Sequence, residues 1–114
     1  MRTGGSIIMR PKLSILLLRE GGWWVAQCLE YDIAGQGKTI DDALYDCQRM
    51  LCVHVVACKE NGIEPLEGLS PAPERYHKLF QQAKVLEADP PRFRMPKGMP
   101  PPWMQAERAV RLCG

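Results

Sequence analysis

From Ile40 onward the residues Ile40, Ala43, Leu44, Cys47, Leu51, Val55 and Cys58 recur at helical spacing and fall on one face. That is the pattern of an amphipathic α-helix. Thr39 stands where a capping hydroxyl belongs, with Asp42 three residues on, near the positive end of the helix. Gly62 occupies the place of a left-handed terminator, and Pro65 prevents continuation. The spacing therefore predicts a helix over about residues 40 to 61. A helix this long with a single oily stripe needs another layer to cover it.

The preceding residues supply that layer. "LSILLLRE", Leu13 to Glu20, reads as a buried strand, and Gly21 and Gly22 as a hairpin turn. "WWVAQCLEYDI", Trp23 to Ile33, returns antiparallel with aromatic and β-branched residues that suit a pleated surface. A short third strand follows through "AGQG". The expected fold is α+β: a small, mostly antiparallel sheet with the long helix packed on one face.

The join between sheet and helix, "GQGKT", imitates the end of a phosphate-binding loop. That loop needs a glycine five residues before Gly37, so that consecutive backbone N–H groups can wrap the phosphates. The place belongs to Asp32, whose charge and Cβ both oppose a phosphate. The strand–helix alternation of a nucleotide-binding sheet is also missing. Gly35 and Gly37 are read instead as relieving a tight connection, and the motif as a helix start.

A second helix is expected from "SPAPERYHKLFQQA", with Pro73 in its first turn and Tyr76, Leu79, Phe80 and Ala83 as its buried stripe. From Asp89 the composition changes to "DPPRFRMPKGMPPPW", which reads as extended and polyproline-like. "QAERAVRLCG" is ambiguous between an edge strand and a helical turn. The expected organisation is a leader at residues 1–10, with Met9 as an alternative start, and a domain at 11–88. Residues 89–114 are read as an arm and terminal strand completing the same domain.

A chain of 114 residues suits one domain. Its net charge of +2 does not argue for nucleic acid, but the distribution is uneven. Glu30, Asp32, Asp41, Asp42 and Asp46 are opposed locally by Lys38 alone, whereas Arg2, Arg10 and Lys12 lie before them and Arg92, Arg94, Lys97, Arg108 and Arg111 after. One acidic region can meet a basic partner without the whole chain being acidic. The longest apolar run, "ILLL", is far short of a membrane span or signal core. Five cysteines, an odd count without a C-x-x-C pair, do not suggest a disulfide framework. A reducing cytoplasm is the expected location.

"WWVAQCLEYDIAGQGKTIDDALYDCQRML" carries an ordered set: a strand led by aromatics after a glycine hairpin, an acidic turn, a Q-G-x-T step, then a helix opening with acids and alanine. In this it resembles the HicB-like antitoxin family, over about residues 13 to 62. "EPLEGLSPAPERYHKLFQQA" looks like the continuation in a shorter branch. The resemblance implies a domain related to a partial RNase H fold. It also implies a partner, a small basic HicA-like toxin that cleaves RNA and whose active surface the antitoxin covers. Many members add a C-terminal DNA-binding unit. After Pro90 no amphipathic helix pair suits one, so operator binding is not expected here.

A toxin that attracts RNA has a positive face, and an acidic patch meeting it speeds encounter and disfavours wrong partners. Glu30, Asp32, Asp41 and Asp42 are the candidate acids, read as clustered at the strand–turn–helix corner. Trp23, Trp24 and Tyr31 are the candidate anchors. Against this, the acids also suit a solvated helix start, and the aromatics a partial core. The related fold invites a two-metal nuclease reading of the same carboxylates, but several lie along one helix start rather than converging from separate elements. His54 and Cys58, with Cys47 and His77, have only a loose zinc-like spacing, and no metal or other cofactor is expected. Arg92, Phe93, Arg94 and Lys97 in the Pro-rich arm offer an alternative function, single-stranded nucleic-acid binding. The bland reading of that arm is a strap across its own domain or a partner subunit. One helix covers only one face of a sheet, so a homodimer or higher homo-oligomer is expected, and an orphan oligomeric scaffold is the third functional reading.

Overall fold

The structure, a computed structural model, describes residues 12–64, 68–85 and 107–113. The expected leader and the Pro-rich arm with Arg92, Phe93, Arg94 and Lys97 lie outside these residues. β1 (Lys12–Glu20) and β2 (Trp23–Cys28) form the hairpin, and β3 (Ala34–Gly37) completes a meander. Then follow α1 (Ile40–Glu60), α2 (Glu74–Gln82), β4 (Lys84–Val85) and β5 (Glu107–Leu112). The sheet has five strands in the order β3-β2-β1-β5-β4. β1 with β2, β2 with β3, and β4 with β5 are antiparallel, while β5 runs parallel to β1. The fold is α+β with a mixed sheet, and the ambiguous terminal segment is a strand.

The hairpin closes at the pair Glu20–Trp23, with Gly21 at φ 61, a backbone region that costs other L-residues energy. Alternation then sorts the meander into two faces. Leu13, Ile15 and Leu17 of β1, Ala26 and Cys28 of β2, and Val110 and Leu112 of β5 share one face, under Ala43, Leu44, Cys47, Leu51 and Val55 of α1. Truncating Leu44 or Leu51 to Ala is expected to cost about 2–5 kcal/mol by lost burial and the cavity left behind. The helix ends follow the sequence reading: Thr39 Oγ1 accepts from the Asp42 amide at 3.1 Å, and Gly62 has φ 67.

The glycines of "GQGKT" have a different role from the one expected. Both lie in the extended strand β3 with their missing side chains toward α1. A Cβ on Gly37 would stand 2.5 Å from Asp42 Cβ and 2.8 Å from the Ala43 amide. The helix backbone rests directly on the strand, which only glycine permits here.

On the second face Leu16 is fully buried. Arg111, its register partner on β5, lays its guanidinium 4.6 Å from the centre of the Phe80 ring and donates to the Phe80 carbonyl at 3.0 Å. α2 therefore packs on this face. Its stripe is shallower than expected: Tyr76, Leu79, Phe80 and Ala83 are half-buried, and no residue of α2 is fully buried. Among the described residues no helix is long and apolar enough to cross a membrane.

Candidate partner-binding site

The structure divides the candidate residues between the two ends of β3. At its C-terminal end Gly37 pairs with Trp24. Trp24 packs partly against the core, with the Arg19 guanidinium 5.1 Å from its ring centre. Trp23 points to the second face and is 42% exposed, with Lys38 Nζ 4.0 Å from its ring centre. Cation–π pairs near the surface contribute about 0.5–1 kcal/mol each. Asp41 and Asp42, both exposed, form the first turn of α1 beside this end.

At the other end the β2–β3 loop carries Glu30, Tyr31 and Asp32. Here the backbone of Leu29 is shared: its N–H donates to Ser14 O at 2.9 Å, and its carbonyl accepts from Ala72 at 3.0 Å. That leaves the Ser14 amide without a ladder partner, and Glu30 Oε1 accepts it at 2.6 Å. Glu30 thus completes the sheet. Asp32 is exposed; its amide donates to Ser70 O at 2.9 Å, and its Oδ1 accepts from Gln27 Nε2 at 3.0 Å. Tyr31 packs partly against the core, and burial, followed by the neighbouring Cys28 and Glu30, raises its phenol above the usual range.

The four acids consequently do not share one corner. Glu30 and Asp32 precede β3, Asp41 and Asp42 follow it, and a strand of four residues separates them by roughly 13 Å at the usual rise.

Asp46 forms a link that the sequence reading missed. From the second turn of α1 its Oδ2 accepts the outward-facing Gln36 amide of β3 at 3.0 Å, and its Oδ1 pairs with Arg49 at 2.8 Å. Burial pushes this carboxyl up, but the Gln36 amide and the Arg49 guanidinium outweigh it and hold the group below its ordinary value. The only sequence signal for this link was the position of Asp46 one turn after Asp42 on a helix lying beside "AGQG".

The cysteines of the core are chemically quiet. Burial raises the Cys28 thiol to about 11 and the Cys47 thiol to about 12, so neither is a ready thiolate. His77 lies on α2, 3.1 Å from Ala72 O, across the sheet from Cys47, and does not join His54 and Cys58. Among the described residues no group of three or more His, Cys, Asp or Glu side chains is placed to hold a metal ion. Gln48 is buried on α1, with Nε2 3.5 Å from Leu44 O and with Oε1 lacking a hydrogen-bond partner among the described residues.

Comparison of the chain with family models, curated proteins and solved structures finds no match.

Proposed function

We propose that this chain is a non-catalytic, HicB-like antitoxin or a relative of that family, acting in the cytoplasm as a homo-oligomer. It binds a small basic RNA-cleaving protein of the HicA-like kind and covers its active surface. The observation that carries the reading is the way the motif-bearing segment folds. Trp23 to Leu51 makes two strands and the helix lying on them, a preformed platform with Trp23, Asp32, Asp41 and Asp42 at its surface. Exposed carboxylates set around a rigid platform favour fast encounter with a positive face, and a large aromatic supplies the kind of anchor that dominates binding energy. Glu30 contributes by holding the loop that presents Asp32.

The test is co-purification of the full chain from native extract, followed by co-expression with any small basic protein that elutes with it. The expected result is that this protein arrests growth alone and that the chain relieves the arrest. Degradation of RNA by the purified chain unaided, or arrest that co-expression leaves unchanged, overturns the proposal.

A further inference from the structure

Among the described residues β3 is an edge of the sheet, and its backbone says which groups are open. Ile33 turns its carbonyl inward to the Cys28 amide at 2.9 Å, while Gln36 turns its N–H outward to Asp46. Strand alternation then faces both backbone groups of Ala34 and of Gln36 away from β2. Of these, the Ala34 N–H and the carbonyls of Ala34 and Gln36 have no hydrogen-bond partner among the described residues. An open groove of about 320 Å³ follows the edge, lined by Val25, Ala34, Gly35, Gln36, Asp46 and Met50. Because the helix-facing residues of β3 are Gly35 and Gly37, no β3 side chain lies between a neighbouring strand and Asp46.

We infer that this edge accepts an extended segment of a basic protein as an added strand, its backbone pairing with Ala34 and Gln36 and a Lys or Arg side chain reaching Asp46. The inference deepens the proposed function and rests on it for the character of the partner. Strand addition draws its affinity from main-chain hydrogen bonds and its selectivity from alternate side chains. An incoming carbonyl takes the Gln36 N–H while the incoming cation takes the carboxylate that held it, so no polar group is left unpaired. Met50 and Val25 offer apolar contact beside them. Charge chooses the occupant: Asp32, Asp41, Asp42 and Asp46 surround the strand, against Lys38, Arg49 and Arg75, the last acting on Asp32. A second copy added at this edge would bring two such acidic rims together, which like-charge contact disfavours.

The experiment uses the full chain labelled with ¹⁵N and a capped peptide about ten residues long, a strand's length, alternating Lys with Val or Thr. A peptide with Glu in place of Lys is the control. Binding of the Lys peptide should shift the Ala34 and Gln36 amides and slow their exchange, and the Glu peptide should do neither. Ala34→Pro, which removes an outward N–H without breaking the ladder, should abolish binding. Asp46→Lys should weaken it about tenfold or more, as expected for a close charge pair. The wild-type shift map decides the location even if a variant fails to fold. Shifts confined to other residues, equal response to both peptides, no binding, or concentration-dependent self-association at this edge without a peptide response would each overturn the inference. Should the edge fail while a co-purified toxin is still neutralised, only this inference falls.

Discussion

The backbone of Cys47 lies directly on Gly35: a Cβ built on that glycine would collide with the Cys47 amide and stand 2.6 Å from the Asp46 carbonyl carbon. Backbone atoms of a packed helix cannot yield as the end of a flexible side chain can. Gly35→Ala must therefore push α1 off the sheet and is expected to cost about 3 kcal/mol or more, at or above the upper end for overpacking. Gly22→Ala, with nothing within 4 Å, is the control and should change stability by less than about 0.5 kcal/mol. Urea unfolding of the two variants measures the difference; equal midpoints would mean that the helix does not rest on the strand.

Glu30 separates a structural carboxylate from a partner-facing one. Removing its oxygen leaves the Ser14 amide without its acceptor, so Glu30→Ala should lose about 1–3 kcal/mol. Glu30→Gln keeps an acceptor in place and should lose less. If instead Glu30→Ala unfolds at the wild-type urea midpoint and only partner affinity falls, the carboxylate belongs to the interface.

These positions also mark where reading the chain stops being sufficient. The hairpin, α1 and both ends of α1 were legible because they follow from local chemistry: apolar spacing, paired glycines, a capping threonine. Gly35 and Gly37 were visible as special, but their reason lies in a helix backbone packed across them, which no local rule reveals. The parallel pairing of β5 with β1 joins residues nearly the whole chain apart, and "QAERAVRLCG" has no periodicity that selects it. The half-buried stripe of α2 shows the same limit, since the pattern names the inward side of a helix and tertiary packing sets the depth. Among the site residues, exposure of Asp41 and Asp42 follows from a helix start, whereas the use of Glu30 and Asp46 by backbone amides depends on neighbours distant in sequence.

The Asp46 link has a definite pH signature. Its carboxyl is held below the ordinary aspartate value of 3.8 when folded, so the unfolded chain binds this proton more readily. The stabilisation is thus fully present above that ordinary value and disappears as pH falls through the lower folded one. The stability difference between the wild type and Asp46→Asn should be constant from about pH 7 to 5 and shrink below about pH 4. A difference that grows on acidification would reverse the assignment.

The thiols should divide by environment. Cys28, Cys47 and Cys52 are buried, whereas Cys58 and Cys113 are partly exposed. Raised folded pKa values near 11 for Cys28 and 12 for Cys47 leave almost no thiolate at pH 8, and the thiolate is the reactive form. Native protein treated with an aromatic disulfide reagent should release colour promptly from Cys58 and Cys113, and from all five cysteines only after denaturation. Prompt labelling of Cys47, located by peptide mass, would show that α1 lifts from the sheet in solution.

The division of the acids between the ends of β3 predicts how they combine in binding a basic partner. Asp41→Lys changes an exposed group and should leave the unfolding midpoint close to wild type, since surface substitutions usually fall within about 0.5 kcal/mol. Asp32→Lys also removes an acceptor from the buried Gln27 amide, which keeps the Cys28 carbonyl at 3.0 Å, and should cost about 1 kcal/mol without unfolding the domain. Each should weaken association mainly by slowing it, more at low salt than at high. Sites separated by more than about 7–10 Å with no shared contacts act independently. The fold-loss of the double variant should therefore equal the product of the single losses, measured by calorimetry with the co-purified partner. A double variant no worse than the weaker single one would mean that both acids feed a single contact, and the two-ended surface would have to be replaced by one compact site.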